Sequence, residues 1–125
     1  MESKQPDVMA ILKLYELRRD EKMRAARAWF CNEFNPASSS DIVKLMLSGQ
    51  EPSAYYRMIT SYWDMASSFV NNGGIDEQLF LEANTEHLAV FAKLEPFIGE
   101  VREAFGEAQY RAQLETLVMK IPHAT

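Results

Sequence analysis

The longest uninterrupted helical pattern in the chain runs from Ser53 to Asn72, and it restricts the fold more than any other feature. No glycine or proline interrupts it. Apolar side chains occur at helical spacings and cover more than half of the circumference, which exceeds the apolar stripe of an ordinary surface helix. The segment is therefore predicted to be a central helix. Its apolar positions are Tyr55, Tyr56, Met58, Ile59, Tyr62, Trp63, Met65, Ala66, Phe69 and Val70.

Shorter helical patterns precede this segment. Proline suits the first turn of a helix and aspartate its positive end, so Pro6-Asp7 is predicted to open a first helix. Asp20 is predicted to cap a second helix from Glu21 to Phe34. The positions predicted to be buried are Val8, Ile11, Leu12 and Tyr15 in the first helix and Met23, Ala26, Phe30 and Phe34 in the second.

A third, short helix is predicted between these and the central one. Ser38-x-x-Asp41 resembles a capping box in which aspartate replaces the usual glutamate, and Gly49 is a typical helix end.

The stretch N-N-G-G-I-D-E, from Asn71 to Glu77, predicts a helix corner. A glycine suits a left-handed cap, Ile75 can fold back onto the last turn, and the carboxylates suit the start of the next helix. The glycine turn could also belong to a DNA-binding helix-turn-helix motif. We reject that interpretation because the following helix, D-E-Q-L-F-L-E-A-N, is acidic and would meet phosphates.

The rest of the chain also has helical spacing. A short helix from Asp76 to Asn84 is predicted, then a longer one in which Pro96 must cause a kink or a break. The sequence thus predicts a single all-α domain over residues 1–125, an irregular bundle of about six helices around the long central helix. The last helix is predicted to bury Tyr110, Leu114, Leu117, Val118 and Ile121.

The composition of the chain indicates where in the cell the protein is located. No apolar run approaches the roughly 20 residues of a membrane-spanning helix, and the start M-E-S-K-Q-P-D lacks the apolar segment of a signal peptide, so we expect a cytoplasmic protein. The single cysteine, Cys31, has no partner for an internal disulfide or a thiolate metal site. Its position near Phe30 and Phe34 predicts a buried, inert thiol.

The net charge of -5 is unevenly distributed. Residues 1–62 contain nine Lys/Arg and eight Asp/Glu, whereas residues 63–125 contain four and ten. The acidic half would repel nucleic-acid phosphates. A basic cluster near the N-terminus is interrupted by acidic residues, which favours a solvated face first and a patch for an acidic partner second. The cluster comprises Lys13, Arg18, Arg19, Lys22, Arg24 and Arg27.

One face of the central helix is polar. Arg57, Ser61, Asp64, Ser68 and Asn71 follow spacings of four, three, four and three, and so form one line along the helix. If this line faces water, it is only the solvent edge. If other helices cover it, Arg57 and Asp64 become a buried pair that suggests a ligand or subunit contact. The ligand-binding candidates are Arg57, Ser61, Asp64 and Asn71.

Catalytic motifs are scarce. The two histidines, His87 and His123, belong to neither Glu-x-x-His nor His-x-x-x-His, which makes a metal enzyme improbable. The chain contains no G-x-S-x-G motif, and Gly73-Gly74 lacks the lysine of a phosphate loop. We therefore expect no catalytic residue, no metal and no cofactor.

Four segments together are similar to a family of small, uncharacterised, all-helical bacterial proteins. They are Y-E-L-R-R-D, W-F-C-N-E-F-N-P, the stretch from Tyr56 to Phe80 and F-A-K-L-E-P-F-I. The resemblance implies an independent helical protein and transfers no activity. We expect a non-enzymatic domain that binds itself, as a homo-oligomer, or another protein, without nucleic acid or membrane. The alternative is a small-molecule binder or enzyme with its site along the polar line.

Overall fold

The computed structural model describes residues 4–120, and this part of the chain forms eight α-helices and no strand. The predicted all-α, single-domain fold is confirmed. The helices outnumber the predicted six, in part because Pro96 splits one predicted helix into α6 and α7. The bounds are α1 Gln5–Arg18, α2 Glu21–Asn32, α3 Ser39–Leu47, α4 Glu51–Asn71, α5 Glu77–Ala83, α6 Glu86–Leu94, α7 Ile98–Phe105 and α8 Ala112–Met119.

Helix α4 is the centre of the fold, as predicted. Its most extensive contacts are with α2 and α8, and its Tyr56 and Trp63 are completely buried. Met65 and Phe69 belong to the same apolar pattern but are 39% and 45% exposed. The neighbouring helices therefore cover only part of the apolar surface of α4.

The predicted corner after α4 forms a left-handed cap with two closing hydrogen bonds. Gly73 has a φ of +81°, a conformation that favours glycine. Its N–H donates to the Val70 carbonyl at 3.0 Å, and the Gly74 N–H donates to the Phe69 carbonyl at 2.7 Å. Ile75 is buried beside this turn. The corner thus satisfies the last carbonyls of α4 within the backbone.

Three carboxylate or hydroxyl side chains cap helices at the predicted positions. Asp20 accepts hydrogen bonds from two backbone N–H groups in the first turn of α2, and Asp76 accepts one in α5. The Ser38 hydroxyl accepts from the Asp41 N–H at 3.3 Å. The Asp41 carboxylate, however, accepts from the Ala37 N–H rather than from Ser38, so the capping box is half formed.

The prediction of which face of α1 is buried is largely wrong. Val8, Leu12 and Tyr15 are 41%, 53% and 51% exposed, and Ile11 is only partly buried. The buried apolar residue is Leu14, which lies about 200° around the helix from Leu12 at about 100° per residue. Polar contacts on the Leu14 side hold the helix in this orientation.

Cys31 is exposed, so the prediction of a buried thiol is also wrong. Phe30 faces the core, and the next residue in a helix points about 100° away from it. Proximity to Phe30 in the sequence therefore does not imply burial.

Helix α8 buries Leu114, Leu117 and Val118 as predicted. Tyr110 precedes the helix and is partly buried. Ile121 and His123 lie outside the described residues.

Candidate functional site

Four arginines surround a cavity of about 630 Å³ between the end of α1, the start of α2 and the turn from α5 to α6. We call it the arginine pocket. The turn capped by Asp20 joins α1 to α2 within two residues, and this places arginines from both helices at one cavity. Its lining includes Arg18, Arg19, Arg24, Arg27, Tyr15 and Glu86.

Arg27 and Glu86 form the rigid wall of the pocket. The Arg27 guanidinium donates from Nε and Nη2 to the Glu86 carboxylate, at 3.0 and 2.7 Å to Oε1. Trp63 Nε1 donates to Glu86 Oε2 at 3.0 Å, which ties the carboxylate to the core. The hydrogen bond that Arg27 donates to Glu86 raises the pKa of Arg27, so this arginine stays charged.

Arg18 is half-buried and forms no salt bridge with a carboxylate of residues 4–120. Its Nη1 donates to the neutral Asn84 Oδ1 at 2.8 Å, and its guanidinium lies 5.1 Å from the Trp63 ring centroid and 5.6 Å from that of Tyr15. Asn84 is itself buried and donates to the Phe80 carbonyl. The side chain of Arg18 is thus held in place by neutral groups, and no carboxylate in the described part of the chain pairs with its positive charge.

The remaining pocket arginines are also uncompensated. Arg19 stacks near the Tyr15 ring at 5.9 Å, and within residues 4–120 neither Arg19 nor Arg24 forms a salt bridge. Thr85, at the start of α6, makes no side-chain cap, so that positive helix end is open toward the same cavity. The pocket holds four cationic side chains against the single carboxylate of Glu86.

His87 lies directly behind this wall, completely buried. Its ring lies 5.8 Å from Trp63 and 5.4 Å from Phe80, and neither ring nitrogen has a hydrogen-bond partner in the part of the chain that the structure describes. Burial lowers the pKa of His87 to about 4, so the imidazole is neutral near pH 7. The sequence placed His87 at a helix start but gave no sign of its burial.

In the first half of the predicted polar line, Arg57 contacts helix α3 and Ser61 contacts its own helix. Arg57 and Ser61 are exposed. Arg57 Nη2 donates to the Met46 carbonyl at 2.6 Å in the last turn of α3, and Ser61 donates to the Arg57 carbonyl of its own helix. Arg57 therefore acts as a cationic partner for the negative end of α3.

The second half binds helix α8. Asp64 Oδ1 accepts from the Leu114 N–H at 2.9 Å, and Asn71 Nδ2 donates to the Gln113 carbonyl at 2.9 Å. Arg111, which precedes α8, has a φ of +54° and makes no side-chain cap, so Asp64 supplies the cap from another helix. Arg57 and Asp64 bind different elements, and the ligand-binding role of the four candidates stays a prediction.

Replacing Asp64 by alanine should lower the free energy of unfolding by about 1 kcal/mol, because the α8 N-terminus loses its cap. Asp64→Asn keeps an acceptor oxygen and should lower the free energy of unfolding less than Asp64→Ala does. Urea unfolding of both variants, with the exposed Glu103→Ala as control, measures the effect. A loss for Asp64→Ala no larger than that of the control would contradict the capping role.

No group of His, Cys, Asp and Glu suited to a metal ion occurs among residues 4–120. Within the same range, no helix has the length and hydropathy needed to cross a membrane.

The fold and the pocket together define a small all-helical protein with a cavity lined by four arginines. The chain matches the family described as a domain of unknown function, DUF4760, over residues 6–121, and it belongs to that family. The resemblance to an uncharacterised family is thereby confirmed. No curated protein and no solved structure matches the chain.

Proposed function

We propose that the protein is a non-enzymatic binding domain that associates with a second copy of itself through the outer face of α1. The supporting observation is that α1 docks on the domain through Leu14 and several polar contacts and turns most of its large apolar side chains outward. We call this side the α1 stripe. It comprises Val8, Met9, Leu12 and Tyr15, which are 41–59% exposed.

Three contacts along α1 fix its orientation. Near its start, Asp7 Oδ2 accepts from the Asp76 N–H at 2.7 Å. In its middle, the Leu14 carbonyl accepts from the Tyr62 hydroxyl. At its end, Arg18 donates to Asn84. Rolling α1 to bury the stripe would break all three, and each buried hydrogen bond is worth about 1 kcal/mol or more.

A second copy suits the stripe because the stripe is nearly symmetric about Leu12. Val8 precedes Leu12 by four residues and Tyr15 follows it by three. When two such helices cross antiparallel about a two-fold axis at Leu12, Val8 of each copy meets Tyr15 of the other. The same patch then serves both subunits, as a two-fold interface requires.

Charge also favours this face. Two copies of a chain with net charge -5 repel each other, and most of the excess lies in residues 63–125. Residues 1–62, which include α1, are nearly balanced. Within Gln5–Arg18 the two acidic side chains, Asp7 and Glu16, equal the two basic ones, Lys13 and Arg18, so α1 itself adds no net repulsion between copies.

The expected dimer is weak. One face of a helix about 21 Å long provides less than the roughly 800 Å² per partner of a standard interface. An apolar groove of about 560 Å³ at the end of α1, lined by Leu17, Met58 and Met65 among others, is a further surface that flexible methionines can adapt to a partner.

We place this dimer in the cytoplasm of a bacterial cell. The exposed free thiol of Cys31 supports this, because such thiols persist in reducing compartments.

The proposal predicts that Leu12→Asp abolishes association. A charge at the centre of the apolar interface should raise the dimer dissociation constant at least roughly tenfold, as removal of a central contact does. Sedimentation velocity over a range of protein concentrations measures this. Leu47→Asp is the matched control, since Leu47 is 70% exposed on α3, away from the stripe.

Wild-type protein and Leu47→Asp should sediment alike, as a concentration-dependent mixture of monomer and dimer. A wild-type protein that stays monomeric at all concentrations would refute the proposal, as would equal dissociation by both substitutions.

A further inference from the structure

We propose that the arginine pocket binds a phosphorylated small molecule, with Arg18, Arg24 and the start of α6 holding the phosphoryl group. This proposal does not depend on self-association. It rests on the cavity and on the cationic side chains that surround it.

The first argument is the state of Arg18. This arginine is partly buried, and the hydrogen-bond partner of its guanidinium is the neutral amide of Asn84 rather than an anion. The Trp63 and Tyr15 rings restrain the same guanidinium. A side chain that is held in place before binding loses less entropy on meeting a ligand. Arg18 is thus prepared for an anion that the described part of the chain does not provide.

The second argument is the number of unused donors. The Glu86 carboxylate is already bound by Arg27 and Trp63. Arg19 and Arg24 line the cavity without a salt bridge in residues 4–120. A phosphoryl group offers three acceptor oxygens and up to two negative charges, and guanidinium groups bind it with paired hydrogen bonds. A single carboxylate would leave more of these donors unused.

The third argument is the helix end. The Thr85 side chain at the N-terminus of α6 lines the cavity and makes no cap hydrogen bond to the helix within residues 4–120. Backbone N–H groups and the helix dipole at such an end favour an anion. The arginines and the helix end therefore point to the same kind of ligand.

Size and charge favour a small molecule. A cavity of about 630 Å³ lies within the roughly 300–1,000 Å³ typical of small-molecule sites, and it exceeds what a phosphoryl group alone occupies. A long nucleic acid would extend past the cavity and meet the acidic half of the chain.

Isothermal titration calorimetry with sodium pyrophosphate tests the site in the full-length protein at constant ionic strength. Saturable binding of one pyrophosphate per chain is expected. Arg24→Gln should weaken it roughly tenfold or more through loss of a charge-assisted contact. Arg24 is exposed and makes no salt bridge within the described residues, so the variant should fold normally.

Lys22→Gln is the matched control. Lys22 lies on the same helix, is exposed and carries the same charge, but its side chain does not line the pocket. Lys22→Gln should change the affinity for pyrophosphate only slightly, because the removed charge acts on the pocket only through long-range electrostatics. Amide signals of Thr85 and Glu86 should also move in a heteronuclear NMR titration with pyrophosphate.

Absence of saturable binding would overturn the proposal, and so would equal weakening by Arg24→Gln and Lys22→Gln. A lipid headgroup has the same phosphate chemistry, so vesicles containing a phosphatidylinositol phosphate are compared with the free inositol phosphate. Binding to the vesicles alone would overturn the small-molecule assignment. The substitutions leave the α1 stripe intact, so this test and the dimer test fail independently.

Discussion

Replacement of Trp63 by alanine should lower the free energy of unfolding by about 3–5 kcal/mol, the usual cost of removing a large buried aromatic side chain. Trp63 is completely buried at the centre of α4. Its ring packs edge-on against Tyr62 and Phe80 and lies beside His87, so alanine leaves a cavity that several rigid rings surround. Thermal and urea unfolding measure the loss.

Trp29→Ala is the matched control, because Trp29 is only partly buried. Trp29→Ala should lower the free energy of unfolding less than Trp63→Ala does. Trp63→Phe keeps one aromatic ring, so its loss should lie between those of the two alanine variants. Equal losses for Trp29→Ala and Trp63→Ala would show that Trp63 is not the centre of the core.

Trp63→Ala should also weaken the arginine pocket. The variant loses the indole N–H that binds Glu86 and the ring over which Arg18 lies. The core and the pocket thus share one side chain, and a structural substitution in α4 should change the affinity for pyrophosphate.

Acidification should destabilise the protein through His87. Burial lowers the pKa of His87 from 6.5 to about 4, so between these values the unfolded chain binds more protons than the folded one. Stability is then fully present above pH 6.5 and is lost as the pH falls toward 4. A shift of this size corresponds to roughly 3 kcal/mol in total.

The measurement is urea unfolding at several pH values between 7.5 and 4 for wild-type protein and His87→Phe. Carboxylates titrate at the acidic end in both proteins, so the difference between the two pH profiles isolates the imidazole. His123→Asn is the control for the second histidine. If His87→Phe and the wild type keep the same pH dependence, the imidazole is not held neutral by burial.

Local features were predictable from the sequence. The length of α4, the cap at Asp20 and the glycine corner at Gly73 depend on contacts within a few residues. Helix propensity, capping and helix-dipole effects also act within a few residues, so a sequence pattern can predict them directly.

The orientation of α1 was not predictable in the same way. It depends on Asp7 binding the Asp76 backbone and Arg18 binding Asn84, contacts that join residues 69 and 66 positions apart. An apolar pattern on one helix cannot reveal that distant polar groups bind its other side. Hydrophobic periodicity therefore identified the helix and assigned it the wrong face.

The arginine pocket was half predictable. The basic cluster is visible in the sequence, and its first interpretation was a solvated face. Four of its six members are exposed, in agreement with that interpretation: Lys13, Arg19, Lys22 and Arg24. The sequence did not reveal the cavity beside them, which Asn84, Thr85 and Glu86 close from the turn between α5 and α6. Their spacing from the cluster gives no sign of this proximity.

The most direct test of self-association is cysteine cross-linking at the proposed two-fold axis. Leu12→Cys, in a Cys31→Ser background, should give a covalent dimer under mild oxidation, because the axis brings the two position-12 side chains together. Leu47→Cys in the same background should give far less. Equal cross-linking at both positions, or none at position 12, would contradict association through α1.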